Sequence, residues 1–187
     1  EKRARKVSEE NGIEIYVGVE AKNIRELKFL LRRRNLFDLL FVKGGSIILN
    51  RVACSHPGVD VLLNPSHQRN DCGLDHVIAK LAAKNGVAIG ITFRDLITAS
   101  GRKRSQLVRN FSEIVRLANK YKFRIAICSA AQDEFELTDP LVLSSFMHLL
   151  GLELKEAKQS VSKIPAEIIE RGLEKKSSIF PGVRVIK

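Results

Sequence analysis

Residues 64–80, NPSHQRNDCGLDHVIAK, gather His67, His76, Asp71, Asp75, Cys72 and Arg69 in a loop that runs directly into a helix. Three chemistries draw on such residues: metal coordination, proton transfer, and the gripping of an anion. His, Asp and Cys are all metal-ligand types. The spacing H-x4-C-x3-H matches no strong zinc pattern, however, and the neighbouring strand ends VEAKN, VKGG and ITFRD add no histidine. His56 and His148 fall in or beside helices. The carboxylates Asp71, Asp75, Asp95 and Asp133 follow no spacing that makes them converge, and Ser129 is not in a GxSxG elbow. Asp75 has a simpler use as an acidic residue at a helix start. The third chemistry has support from spacing. His76, Lys80 and Lys84 are each four apart, so they share one helix face, while Val77, Ile78, Leu81 and Ala82 form the other. Arg69 lies just before them, and a helix start offers free N–H groups to an anion.

The elements around this loop alternate. Short apolar runs at 13–20, 38–45, 58–65, 87–93 and 123–129 read as strands, and each is followed by a helical pattern. The last of these gives way to a mostly helical region from about 139 to 176, and FPGVRVIK could add a short strand. Such βαβ units imply a parallel sheet covered by helices. Their regular recurrence favours a (β/α) barrel over an open sheet. No GxGxxG or GxxxxGK[ST] is present, so a dinucleotide or P-loop cradle is excluded. In a barrel the functional face lies at the carboxyl ends of the strands. That rim would hold Lys43, 65–71, 92–94 and 129–133. The whole chain, 1–187, is expected to be one barrel domain with a flexible tail at 175–187.

Charge narrows the partner. The chain has 32 Lys and Arg against 21 Asp and Glu, a net charge of +11, with a pI near 9.8. That is the electrostatic footprint of a nucleic-acid binder. The segment from Arg102 to Arg124 alone carries eight basic residues and one acidic, a net of +7. Within it Leu107, Phe111, Ile114, Ala118 and Tyr121 make an apolar stripe, with Arg102, Arg109, Arg116 and Lys120 on the opposite face. Such a stripe suits phosphate, RNA or DNA. The run LRRRN at 31–35 is weaker, being equally a helix end that satisfies its dipole. No apolar run reaches the roughly 18 residues of a membrane span, and no signal peptide is visible. Three scattered cysteines without CxxC fit a reducing, cytoplasmic setting. Cys72 reads as a loop thiol, and Cys54 and Cys128 as core or strand residues. With no Trp and 6% aromatic residues, stacking of single-stranded bases has little support.

The blocks GVDVLLNPSHQRNDCGLDHVIAKLAAKNGVAIGITFRDLI, GRKRSQLVRNFSEIVRLANKYKFRIAICSAA and GLELKEAKQSVSKIPAEIIERG closely resemble the archaeal ribonuclease P protein component 3 family. This is the counterpart of the thirty-kilodalton subunit of eukaryotic RNase P and RNase MRP. The resemblance implies a barrel-like (β/α) fold related to the polymerase-and-histidinol-phosphatase (PHP) phosphoesterases, with a strand and helix preceding Glu1. It implies a noncatalytic protein subunit that binds RNase P RNA. The RNA itself, with Mg²⁺, removes the 5′ leader of precursor tRNA, and the chain binds no cofactor of its own. It also implies pairing with a small ferredoxin-like subunit in a two-plus-two assembly, with precursor tRNA met only indirectly. The PHP relatives open with H-x-H at their first strand. No H-x-H occurs here, so the metal chemistry is not carried over. Matching positions expected to touch RNA are Arg51, Arg69, His76 and Arg104. Lys43, Lys80, Arg109 and Lys120 join them on charge and placement. Two rivals remain: a metal-dependent phosphoesterase of the PHP kind, and a purely structural scaffold for other proteins. The helical region with Leu141, Leu143, Phe146, Leu149 and Leu150 is apolar enough for a partner surface, but a core helix is the commoner use of such residues.

Overall fold

The computed structural model describes residues 7, 8, 10–180, 183 and 184. Five strands, β1 (Gly18–Ala21), β2 (Leu39–Lys43), β3 (Val61–Leu63), β4 (Ala88–Thr92) and β5 (Ile125–Cys128), form one parallel sheet in the order β1-β2-β3-β4-β5. Sequential order without a reversal is the wall of a (β/α) barrel; a doubly wound sheet would switch direction part-way. Among the described residues the wall stays open between β5 and β1.

Seven helices follow the strands or cover them: α1 (Ile24–Leu31), α2 (Ile47–Ser55), α3 (His76–Asn85), α4 (Phe93–Thr98), α5 (Gly101–Tyr121), α6 (Pro140–Leu149) and α7 (Leu154–Ser160). An eighth, α8 (Lys163–Ser177), lies across the sheet. Alternation along the strands separates two cores. Leu40, Val42, Leu62, Ile89 and Ile91 point to the outer helices and meet Leu27, Ile78, Phe111 and Ile114. Leu39, Val61 and Ala88 point the other way and pack on Ile168, with Ile164 and Ile169 beside it. The concave face that a closed barrel would fill with strand side chains is thus filled by α8. Gly172 permits the approach: a Cβ there would lie 2.6 Å from Leu39 Cδ2 and 2.7 Å from the Asp38 carbonyl.

The amino ends of the strands carry a buried ionic clamp. Arg34 donates to Asp60 at 2.7 Å and to the carbonyls of Phe37, Asp38 and Gly172. Lys175 reaches Asp60 at 2.7 Å and Lys176 reaches Asp38 at 2.8 Å. LRRRN therefore serves structure at Arg34. Of the tail expected at 175–187, Lys175 and Lys176 belong instead to the docked last turn of α8. Beyond them β6 (Ser178–Phe180) pairs antiparallel with β7 (Val183–Arg184), and 181–182 and 185–187 lie outside the described residues. The first strand is shorter than its pattern, starting at Gly18. Ile13 and Ile15 are exposed, so their alternation finds no sheet to face. The strand expected at 87–93 ends at Thr92, and Phe93 begins α4 instead of ending that strand.

Candidate nucleic-acid interface

Two asparagines set the shape of the loop at 64–75. Asn64 has a left-handed backbone, φ 43°. Its Oδ1 accepts from the Thr92 amide at 3.0 Å, and its Nδ2 donates to Thr92 Oγ1 and Asp95 Oδ2. The carboxyl ends of β3 and β4 are stitched together in this way. Asn50, fully buried on α2, donates to the carbonyls of Pro65 (3.0 Å) and Gly73 (2.8 Å) and so pins the two sides of the loop. Gly73, φ 69°, passes so near Pro65 that a Cβ would sit 2.0 Å from the Pro65 oxygen.

Charged residues finish the loop. Arg69 grips Asp71 with Nε (2.6 Å) and Nη2 (2.7 Å) and donates to the Gly45 carbonyl at 3.2 Å. Arg69's hydrogen bond holds the Asp71 carboxyl below its ordinary range; burial opposes this, and the Gly73 N–H adds to it. Asp75 caps α3 through the Ile78 amide at 2.7 Å and pairs with Arg51 at 2.9 Å. Burial raises its pKa, but those two contacts outweigh it and leave the carboxyl low. Cys72 is buried, its Sγ donating to the Leu74 carbonyl, and burial raises its thiol. Burial likewise pushes Cys54 up to about 12.

The residues expected to meet RNA divide into two kinds. Arg51, Arg69 and Arg104 are engaged within the protein. Arg104 donates from Nε to the Ala99 carbonyl (2.8 Å) and from Nη2 to the Ile97 carbonyl, closing the end of α4. His76, Lys80 and Arg109 are exposed with no side-chain partner among the described residues. Helices α2, α3 and α5 pack side by side, so Arg51, His76, Lys80 and Arg109 sit on adjacent helices. Lys43, half-buried at the end of β2, lines a hollow of about 420 Å³ with Lys22, His67 and Gln68. Lys120 is not brought to the rim. It lies 18 residues beyond Arg102 on α5, roughly 27 Å at 1.5 Å per residue, with its Nζ 5.4 Å from the Tyr121 ring. Arg116, on the expected stripe, is paired with Glu113 at 2.5 Å. Metal-ligand types in the loop do not converge either: Asp71 is held by Arg69 and Asp75 by the helix it caps. Among the described residues no group of three or more His, Cys, Asp or Glu is placed to hold a metal ion.

Comparison with known proteins decides the family. The model of the RNase P subunit p30 family matches residues 2–177. The chain belongs to the RNase P subunit p30 family. Its relatives include Ribonuclease P protein component 3 of Methanosarcina acetivorans, 36% identical over 94% of this chain and 74% of that one. The namesake proteins of Methanothermobacter thermautotrophicus and Thermococcus kodakarensis are 32% and 38% identical over 91% and 78% of this chain, and over 70% and 64% of theirs. A chain from the cryo-EM structure of archaeal Ribonuclease P with mature tRNA superposes with a TM-score of 0.85 at 26% identity, over all of this chain and 82% of that one. The parallel (β/α) fold of this chain is therefore shared with a solved archaeal RNase P chain.

In this p30-family chain the residues that sequence reasoning missed are those that shape the loop. Asn50 and Asn64 carry no charge and match no motif. Asn50 did leave a signal: it shares a helix face with Ala53 and Cys54, and a polar residue on an apolar face needs a buried partner.

Proposed function

We propose that the chain is a protein subunit of an archaeal-type RNase P ribonucleoprotein, binding its RNA in support of 5′-leader removal from precursor tRNA. One observation carries this: the family match across 2–177 together with the close superposition on a chain of archaeal RNase P. The physical arrangement supports it. A net charge of +11 attracts the RNA, and exposed Lys80, Arg109, Arg102 and Lys103 offer phosphate contacts. Arg51, Arg69 and Arg104 act mainly by holding the loop and the turn before α5 in shape, with His76 at the exposed start of α3. RNA that is recognised by its backbone and shape suits such a surface.

In this reading the chain is noncatalytic and cytoplasmic; Mg²⁺ belongs to the RNA, and the RNA does the chemistry. No helix among the described residues is long and apolar enough to cross a membrane. A small ferredoxin-like subunit, in a two-plus-two assembly, would dock on the apolar patch of Phe135, Leu137, Leu141 and Leu149. All four are strongly exposed, whereas Leu143, Met147 and Leu150 on the same segment are buried. The test is the salt dependence of binding to RNase P RNA. Replacing Lys80 and Arg109 by Ala should lower the slope of log K against log salt by about 0.7–0.9 for each phosphate that is no longer neutralised, with the melting temperature unchanged. An unaltered slope would remove these two residues from the interface.

A further inference from the structure

Between the 64–70 segment and the first half of α5 lies a cleft of about 860 Å³, lined in part by Ser66, Arg69, Arg102, Lys103, Gln106 and Asn110. A second hollow of about 270 Å³ shares Ser66 and Lys103 and extends it toward Asn64 and Asp95. Two polar atoms among the lining residues have no hydrogen-bond partner: Ser66 Oγ and Asn110 Nδ2. Ser66 is 2% exposed and Asn110 3%. Buried polar groups are normally paired, and an unpaired one is costly. A neighbouring side chain fixes one of them. Gln106 Nε2 donates to Asn110 Oδ1 at 3.0 Å and to the Asn70 carbonyl at 2.8 Å. The Asn110 amide is thus oriented with its oxygen used and its nitrogen spare.

The mouth has the opposite character. Arg102 and Lys103 are exposed and make no ion pair among the described residues. Beside them the N-cap of α5, Ser100, makes no side-chain capping bond, so the first amides of this 21-residue helix have no side-chain cap. Leu107 adds an apolar wall. Cations at the mouth, an apolar side and spare polar atoms just beneath the wall match the parts of a nucleotide in order: phosphate, sugar and base. The volume falls in the range of small-ligand pockets, roughly 300–1,000 Å³. RNA is read by sequence mainly where bases leave the stack.

We propose that this cleft takes one unpaired nucleotide of the RNA. Its phosphate lies against Arg102, Lys103 and the start of α5, and its base edge bonds Ser66 Oγ and Asn110 Nδ2. Asn110 Nδ2 can only donate, so the base presents an acceptor there; the Ser66 hydroxyl serves either way. The proposal rests on the RNA-binding reading above and adds a base-reading element to a backbone-binding surface.

The test uses the ribonucleoprotein reconstituted with this chain. Base edges of the RNA are probed with dimethyl sulfate and carbodiimide in complexes of the natural chain, Ser66→Ala and Ala99→Phe. Ser66→Ala breaks no hydrogen bond of the Ser66 hydroxyl within the protein, and Ala99→Phe narrows the cleft; circular dichroism and melting check both folds. One base protected by the natural chain should become reactive with Ala99→Phe. RNA affinity should fall about tenfold with that variant and about threefold to fivefold with Ser66→Ala, as removal of two bonds or one would give. Equal base reactivity and affinity in all three complexes overturns the cleft while leaving the RNA-binding reading intact. Failure of the natural chain to bind the RNA overturns both. A free nucleoside monophosphate that binds the chain, with no base protected in the complex, overturns the RNA as the source of the nucleotide.

Discussion

Gly73→Ala and Gly101→Ala should separate backbone strain from close packing. Both glycines have left-handed backbones, φ 69° and 52°. An L-residue there costs roughly 1–2 kcal/mol, partly offset by about 0.4–1 kcal/mol from a stiffer unfolded chain. Around Gly101 nothing lies within 4 Å of the added Cβ. Gly101→Ala should therefore cost about 1 kcal/mol or less. At Gly73 the new Cβ would stand 2.0 Å from the Pro65 oxygen and 2.9 Å from Asn50 Nδ2. The loop must part there, and the two bonds that Asn50 donates would go with it. Each contributes about 1 kcal/mol net, and leaving the buried Asn50 donor unmet adds about 1–3 kcal/mol. Gly73→Ala should thus lose about 3–5 kcal/mol, measured by urea unfolding at constant m. RNA affinity should fall with it, because the loop carries Arg69 and leads into His76. Equal losses for the two variants would refute the packing argument. So would a Gly73→Ala chain of natural stability.

Other perturbations reach other parts. Asp60→Asn would leave Arg34 and Lys175 facing a neutral group, since Asp60 also accepts from the Leu40 amide at 2.7 Å. A loss of about 3–5 kcal/mol is expected in urea unfolding. RNA affinity well below the melting point should hold, since the clamp lies at the strand ends opposite the rim. A loss under about 1 kcal/mol would contradict the clamp. The depressed Asp71 carboxyl sets a pH window. Its contribution is fully present above the ordinary Asp value of about 3.9 and is lost as pH falls through the lower, folded value. The Gly73 amide, bonded to Asp71 at 2.9 Å, should report that midpoint by NMR. A midpoint at or above about 4 would rule out the Arg69 grip in solution.

The elements were legible because their periodicities differ. Short apolar runs marked β2, β4 and β5, and the stripe Phe111, Ile114 and Ala118 lies buried as its helical spacing implies. Sequential strand order followed from the regular βαβ recurrence. What could not be read was the use made of each charge. Arg34 and Arg33 are neighbours, yet one enters a buried clamp and the other lies over the Phe29 ring at 3.8 Å. Arg69 and Arg109 looked alike as cations; the first is engaged on two sides by Asp71 and Gly45, the second stands exposed to solvent. Such differences depend on which carboxylates and carbonyls folding brings near: Gly58 and Asp60 reach Arg34 across 24 and 26 residues, and Gly45 reaches Arg69 across 24. Placement on α5 was equally hidden: charge spacing put Lys120 with Arg109, but helix length carries it away from the rim. The two unpartnered atoms at Ser66 and Asn110 left no trace in charge or motif.

The most direct measurement is precursor-tRNA cleavage by RNase P RNA at low Mg²⁺, with and without this chain and a small ferredoxin-like partner. A subunit role predicts cleavage that needs the RNA, rises when the proteins are added, and is absent with the proteins alone. Unchanged RNA activity in the presence of folded protein would contradict that role. Chelator-sensitive phosphate-ester cleavage by the chain alone would contradict its noncatalytic character and return attention to His67, Asp71 and His76.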